Sequence, residues 1–528
     1  MLAMVRTVIQ RVGRGVHAPA MVALLCAIAT GVLALAMGSR IAGGADAYGY
    51  LSQADLWTRG TLRVHQPLVH QVPWPSADWT LSPLGYRPAF DRNGDIVPTY
   101  SPGFPLAMAL FQLAGGRQAM FLVVPLLGAL GVWCIYRLGR RVADPLAGAL
   151  SAVWLASSAA FLNSLLVPMS DMPTMTWWLL AALALTSVRP VAAFAAGLAS
   201  SAAILTRPNL APLAVVLAIP LLWSAFRERT ISGLAVHRAV LFAAGVIPGC
   251  VAIGLLFNSL YGSPFHSGYE QLGALYSWVH ARPNVPNYAR WLIETATPLI
   301  VLAAVAPWVI DRRHAWLALA VFTVLFASYT FYFEADAWYY VRFLLPACPL
   351  LIVSSAAVVS KALARLHSGR RALAAGVISV GLAAWGVTLA ERRQVFTIPD
   401  GELRYERVAR FIATRLPERT VVITLQHSGS IRYYADRTTV RYDRLDPRWL
   451  DRAIEYLREQ GRSPYILLED WEEPGFRDRF ADRSALGRLD WPPAAEYRTA
   501  GGTRVHLYAP GDRARFVRGE PVVTERVQ

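Results

Sequence analysis

Residues 18–39 read APAMVALLCAIATGVLALAMGS, and Gly44-Ala-Asp46-Ala-Tyr48-Gly-Tyr50-Leu51 follows shortly after. The first stretch carries no charge. Its length suits one helix across a hydrocarbon core of roughly 30 Å, which needs about 20 apolar residues. The second stretch sets an acid where the chain leaves the bilayer. Outward from this pair, apolar runs recur at 119–136, 146–165, 174–188, 191–205, 209–225, 239–257, 296–310, 315–332, 343–360 and 372–390. The chain of 528 residues is 55% hydrophobic. The pattern predicts a polytopic α-helical membrane protein with about eleven transmembrane helices. The composition changes near residue 395, where charge rises and apolar runs shorten to strand length. Two units are therefore expected: a membrane unit over 1–394 and a small soluble α/β domain over 395–528.

The formal net charge is +16, and Lys361 is the only lysine. The arginines sit mainly in short loops between apolar runs, as the positive-inside rule produces, so no nucleic-acid partner is read from them. Cys26, Cys134, Cys250 and Cys348 all lie inside apolar runs and form neither a disulfide framework nor a CxxC metal site. Arg6, Arg11 and Arg14 before a long apolar run imitate a signal peptide. That run is too long and more spans follow, so it reads as an uncleaved first span.

With the N-terminus inside, the cationic loops Arg137–Arg141, Arg189, Arg227–Arg238, Arg312-Arg313 and Lys361–Arg371 all fall inside. The C-terminal domain then lies outside. Residues 102–114 are apolar but too short to span and read as an interfacial or re-entrant helix on the outer face. Residues 46–59 read as a short interfacial helix ended by Gly60. Trp74 and Trp79 suit a headgroup-level belt. Asp91-Arg92-Asn93-Gly94-Asp95 reads as a hairpin tip with positive φ at Asn-Gly.

This topology gathers Asp46, Asp171, Glu334 and Asp336 on the outer face, with Arg207 and Arg342 beside them. Ionisable groups near bilayer depth usually line an internal cavity. An acid there can take a proton from an acceptor hydroxyl, and an arginine can hold a departing phosphate through charge-assisted bonds. The bland readings are a helix cap for Asp46 and Asp171, snorkelling for Arg207 and Arg342, and solvated loop charge for Glu334 and Asp336. Asp46 and Asp171 are the candidate catalytic acids, and Tyr50, Tyr100, His266, Tyr269, Glu334 and Asp336 are candidate substrate contacts, against ordinary loop packing.

In the C-terminal part, Glu402–Leu416 and Pro447–Gln460 read as helices, Thr420–Leu425 and Pro464–Leu468 as buried strands, and Tyr497–Tyr508 as a hairpin around Gly501-Gly502. No phosphate loop, zinc pattern or nucleophile elbow appears there.

Five stretches, taken in this order, resemble the GT-C membrane glycosyltransferases, near the bacterial protein O-mannosyltransferase and lipid A aminoarabinose transferase relatives. They are Asp46 with Tyr48 and Tyr50; Tyr100-Ser-Pro-Gly-Phe-Pro-Leu106; Ser170-Asp171-Met-Pro173; Leu205-Thr-Arg207-Pro208; and Trp338-Tyr-Tyr-Val-Arg342-Phe-Leu-Leu-Pro346. The resemblance implies a polyprenyl-phosphate-linked sugar donor, an active site on the outer face and inversion at the anomeric carbon. It implies a cell-envelope acceptor (glycan, lipid or protein) and a place in the bacterial cytoplasmic membrane among its lipids. Many relatives carry two adjacent acids in the first outer loop, where Ala47 follows Asp46 here. Aminoarabinose-type relatives carry a lysine where Thr99, Tyr100 and Ser101 stand, so donor-phosphate contact falls to Arg207 and Arg342. No cofactor is called for, and the need for a divalent metal ion stays open. Two other classes fit a polytopic chain: a transporter or lipid flippase, and a scaffold that presents the C-terminal domain. A transporter expects inverted repeats and acids at span midpoints, and neither is apparent.

Overall fold

The computed structural model describes residues 18–228, 233–269 and 272–527. The Arg6, Arg11 and Arg14 segment lies outside the described residues, as does the 229–232 part of the cationic 227–238 loop.

Every apolar run of the sequence carries helix. Among the described residues, four helices are long and apolar enough to cross a membrane alone: Ala18–Met37, Arg117–Val142, Leu234–Tyr261 and Ser368–Arg392. Three further runs are broken pairs, Pro145–Ser157 with Ala159–Leu165 at 60°, Trp278–Ala296 with Pro298–Trp308 at 96°, and Trp338–Leu344 with Cys348–Leu363 at 84°. Counting each pair as one span gives up to 7 by length and composition. The breaks have local causes. Ser158 is extended, with φ −61° and ψ 129°, so the helix restarts at Ala159. Thr297 takes φ 67° ahead of Pro298, a residue that disfavours helix at the position before it.

Close helix contacts rest on small residues. Gly197 of Pro190–Thr206 faces Gly245 of Leu234–Tyr261, and a Cβ on Gly245 would stand 2.8 Å from the backbone of Gly197's neighbour Leu198. Such pairs let backbones approach where lipid offers no hydrophobic drive between helices. The short helix Gly103–Gly115 buries Phe104, Met108 and Ala109 and exposes Leu106, Leu110 and Leu113.

The outer loop after the first helix is ordered. Asp46–Thr58 is a helix that ends before Gly60, whose φ is +72°. Asp95–Pro98 then pairs antiparallel with both Val64–His65 and Tyr86–Pro88. The turn between the last two strands differs from the sequence expectation. Positive φ falls on Arg92 and Gly94, and Asn93 is not among the positive-φ residues. The connection is too wide for a two-residue turn: Ala89 N–H bonds Asp95 O and Arg92 N–H bonds Ala89 O. Trp74 also departs from expectation. It is buried in the apolar cluster of the C-terminal sheet, and its Nε1 donates to Thr80 Oγ1 at 2.9 Å. It anchors the loop to that sheet instead of to a headgroup layer.

The C-terminal region holds a six-stranded mixed sheet. Its spatial order is Thr438–Arg441, Thr420–Thr424, Ser463–Glu469, Arg504–Tyr508, Ala495–Arg498 and Glu525–Arg526. The first three strands are parallel, and Arg504–Tyr508 is antiparallel to both its neighbours. Side chains alternate between two apolar layers. Val421, Ile423, Ile466 and Leu468 pack on one side, while Val422 and Leu467 pack on the other. The helix Ser428–Ala435 follows the strand Thr420–Thr424 and touches the helix Asp46–Thr58.

Candidate active site

Four chain segments converge on one cavity. Asp46 is the first residue of its helix, and Asp171 is the first residue of Asp171–Leu185. Arg207 ends Pro190–Thr206, and Arg342 lies in the 3-10 turn Trp338–Leu344 just before the 84° break. The cap reading fails for both acids. The capping positions are Ala45 and Ser170, and neither makes a side-chain cap bond. The carboxylates are engaged elsewhere.

Asp46 accepts from the Tyr100 hydroxyl at Oδ1 (2.6 Å) and from Arg342 Nη2 at Oδ2 (3.3 Å). Its side chain keeps 33% of its surface exposed, so it remains open to the cavity. Asp171 is 1% exposed and accepts from Arg207 Nη2 at Oδ1 (2.7 Å). Among the described residues its Oδ2 has no hydrogen-bond partner. Asp171 is absent from the cavity wall and sits behind Arg207. Its geometry is that of a holder for the guanidinium.

The Met169-Ser170-Asp171 stretch touches both arginines. Arg342 Nη1 meets Met169 Sδ at 3.1 Å, and Arg207 Nε donates to Ser170 Oγ at 3.1 Å. Ser170 Oγ also shares a hydrogen bond with the Tyr50 hydroxyl at 2.8 Å. The two guanidiniums flank the Phe343 ring, at 5.5 Å for Arg207 and 5.4 Å for Arg342. Both arginine side chains are mostly buried (13% and 16% exposed), which is not the geometry of snorkelling anchors. Arg342 keeps unused donor capacity. Among the described residues its Nε is buried without a hydrogen-bond partner and its Nη1 meets only a thioether. A guanidinium in that state favours an anion.

The cavity measures about 550 Å³. Tyr50, Tyr100 and Tyr269 line it with Asp46 and the two arginines, and Tyr329, Tyr332 and Phe343 extend an aromatic wall. Burial, with Asp46 nearby, pushes the Tyr50 and Tyr100 phenols well above their usual range. Both therefore stay protonated at neutral pH and act as donors. His266, Glu334 and Asp336 do not line the cavity and are exposed. Among the described residues, no group of three or more His, Cys, Asp or Glu side chains could hold a metal ion.

Several participants were given no role of their own from the sequence. Ser170 and Met169 join the two arginines, and Asn209 Nδ2 donates to the Tyr329 hydroxyl at 3.0 Å. Asn284 is fully buried. Its amide reaches the carbonyls of Tyr332 (3.0 Å) and Phe333 (3.1 Å), and its Oδ1 accepts from Ala335 N–H (2.9 Å). It fixes the turn that carries the aromatic wall. Two amides inside an otherwise amphipathic helix, Asn284 and Asn287, were the available signal.

The fold of this chain occurs in solved structures. The ArnT of Cupriavidus metallidurans bound to undecaprenyl phosphate superposes with TM-score 0.55 at 14% identity, covering 93% of this chain and 98% of that one. Its apo state gives TM-score 0.53 at 15% identity, with the same coverage. The Archaeoglobus fulgidus oligosaccharyltransferase in the apo form gives 0.51 at 13%, covering 94% of this chain and 75% of that one. The chain has the GT-C fold. Residues 101–251 match the family model of the dolichyl-phosphate-mannose-protein mannosyltransferases. That window holds Asp171 and Arg207 and leaves out Asp46 and Arg342. No curated protein matches the chain in sequence. The GT-C fold and the long apolar helices make this a membrane protein.

Proposed function

We propose that this chain is an inverting glycosyltransferase. It moves a sugar from a polyprenyl-phosphate donor to a cell-envelope acceptor at the outer face of the bacterial cytoplasmic membrane. Residues 1–394 form the catalytic membrane unit in this reading, with the N-terminus cytoplasmic, and residues 395–528 form a domain on the outer face. The carrying observation is the pairing within one cavity of a solvent-open carboxylate and two buried guanidiniums, one with unused donors. The cavity is built from helix ends and outer-loop residues, whereas a transporter expects a site near the bilayer midplane.

Each group has a defined task. The acceptor hydroxyl oxygen attacks the anomeric carbon, and the bond from that carbon to the phosphate oxygen breaks. Asp46 takes the hydroxyl proton. The leaving phosphate departs with the electron pair and is stabilised by Arg342 and Arg207. Attack opposite the leaving group inverts the anomeric centre through an oxocarbenium-like state. Tyr100 aims the base through its 2.6 Å bond, and Asp171 holds Arg207. Tyr50 and Tyr269 contact the sugar or the acceptor from the wall.

Sugar transfer from a panel of polyprenyl-phosphate sugars tests the proposal. Wild type is compared with Asp46→Asn in membranes containing equal amounts of folded protein. Transfer by wild type with a loss of about 10²-fold or more in the variant supports the base role. Equal rates in the two proteins overturn it.

A further inference from the structure

The acid that the proposed reaction depends on stands at the end of a short arm, residues 41–45, between the first helix and its own helix. That arm is not packed against the membrane helices alone. The backbone N–H of Ala42 donates to the Tyr434 hydroxyl at 2.8 Å, across 392 residues of chain. A Cβ at Gly43 would collide with the Glu402 carboxylate and fall 2.5 Å from the Tyr405 ring. Gly44 has φ +54°, and a Cβ there would approach Gln426 Nε2 to 3.1 Å. Glycine is needed at both positions because the C-terminal region presses on the arm from this side.

A second route reaches the partner of the acid. Ser428 Oγ, at the start of Ser428–Ala435, accepts from Leu84 N–H at 3.0 Å. The next residue, Gly85, has φ +87° and leaves a Cβ only 3.0 Å from Ala45 O and 3.3 Å from the Tyr100 ring. Gly85 O in turn accepts from Thr99 N–H at 2.9 Å, one residue before Tyr100. Gly429 packs face-on to the Tyr48 ring, and a side chain there would collide with it. Tyr48 lies two residues after Asp46. Arg432 of the same helix ties down the rest of the loop, donating to Leu81 O and Gln66 Oε1 at 2.6 Å each. Thus Ser428–Ala435 touches both the Asp46 arm and the turn that seats Tyr100, while neither Ser428 nor Tyr434 lines the cavity.

We infer that the C-terminal α/β region is a positioning device for the base: Tyr434, Ser428 and Gly429 fix the Asp46–Tyr100 pair in its reactive pose from outside the cavity. The inference rests on the proposed function for what the pair does, but not for the mechanical coupling. Ser428, Gly429 and Tyr434 are positioning residues and touch no reacting atom.

The test uses the full-length protein in detergent or nanodiscs with Gly429→Val, Tyr434→Phe, Tyr48→Ala and the double variant Gly429→Val with Tyr48→Ala. Arg513→Gln, in a surface ion pair with Asp490 remote from this contact, is the control. Gly429→Val should lower kcat by about 10²-fold, the effect of displacing a reacting group by about 1 Å, with donor KM within twofold. Tyr434→Phe should lower kcat by about fivefold, as expected for one hydrogen bond. The double variant should be no slower than Tyr48→Ala alone, because the clash has been removed. Hydrogen exchange over residues 42–50 and 84–100 should quicken in Gly429→Val and Tyr434→Phe, with the thermal midpoint held. Unchanged kcat and unchanged exchange overturn the inference. A loss confined to acceptor KM also overturns it and makes the region an acceptor-docking domain. If wild type transfers no sugar from any donor, the proposed function fails by itself. Exchange still decides the coupling, and unaltered exchange in Gly429→Val overturns it.

Discussion

Tyr100 donates its hydroxyl to Asp46 at 2.6 Å, while its ring rests against Gly49 in the same helix as that carboxylate. One side chain therefore both orients the acid and braces the helix that carries it. Tyr100→Phe removes the first role and keeps the second. We expect kcat to fall by about tenfold with stability unchanged, the size of one oriented hydrogen bond to a charged group. Tyr100→Ala should also lower the thermal midpoint. Steady-state kinetics beside a melting curve separates the two roles.

Arg342 should govern donor affinity. It lines the cavity, and its Nη1 meets only a thioether, a contact that a phosphate oxygen would replace. Arg342→Gln is expected to weaken donor binding by at least about tenfold, as loss of a charge-assisted bond implies. Arg342→Lys should not restore it, since a point charge lacks the planar fork. Binding of a polyprenyl phosphate to the purified protein, read by ligand-induced thermal shift, checks this without any transfer reaction.

Asp171 and Arg207 form a mostly buried pair, so breaking it from one side leaves an uncompensated charge. Asp171→Asn should destabilise the protein by about 3 kcal/mol or more. Replacing both, as Asp171→Leu with Arg207→Met, should recover much of that stability while transfer remains lost. Recovered transfer in the double variant would remove Arg207 from the reaction.

The C-terminal region should show a carboxyl signature in its stability. Burial, with the Glu469 carboxylate nearby, pushes Glu402 up to about 7 against the pull of Arg404. The folded state then binds more protons than the unfolded chain between the ordinary carboxyl range and about pH 7. Its contribution is present at low pH and is lost as pH rises through that window. Glu402→Gln mimics the protonated form. The difference in thermal midpoint between variant and wild type should therefore grow in the variant's favour from about pH 5 to pH 8. The difference isolates Glu402 from His427, whose burial holds its imidazole below the usual range and acts in the opposite sense. A flat difference would place the Glu402 carboxylate in water.

The sequence told most where the physics is local or periodic. Long apolar runs marked the helices, and the run of short strands and amphipathic helices after residue 395 marked the mixed sheet. Asp46, Arg207 and Arg342 stood out because charge beside apolar runs is costly, and the structure brings all three to one cavity wall. What the sequence hid depends on contacts between distant segments. Trp74 looks like an interfacial aromatic until the sheet that covers it is in place. Gly43, Gly44 and Gly85 look like ordinary loop glycines until the side chains that crowd them are known. His266, Glu334 and Asp336 share the outer loops with the site yet do not line the cavity, because proximity in a loop does not fix which side chains reach it.

Each acid of the site already has its own arginine, so these four side chains together are close to electrically neutral. On the proposed reaction, the incoming donor is a phosphodiester with one negative charge, and the spent lipid is a monoester carrying about −1.5 to −2 near neutral pH. The same two guanidiniums thus grip the spent carrier harder than the loaded one. Such an enzyme is slowed by its own exhaust, and its pace in a membrane follows how quickly the bare carrier is drawn away for reloading.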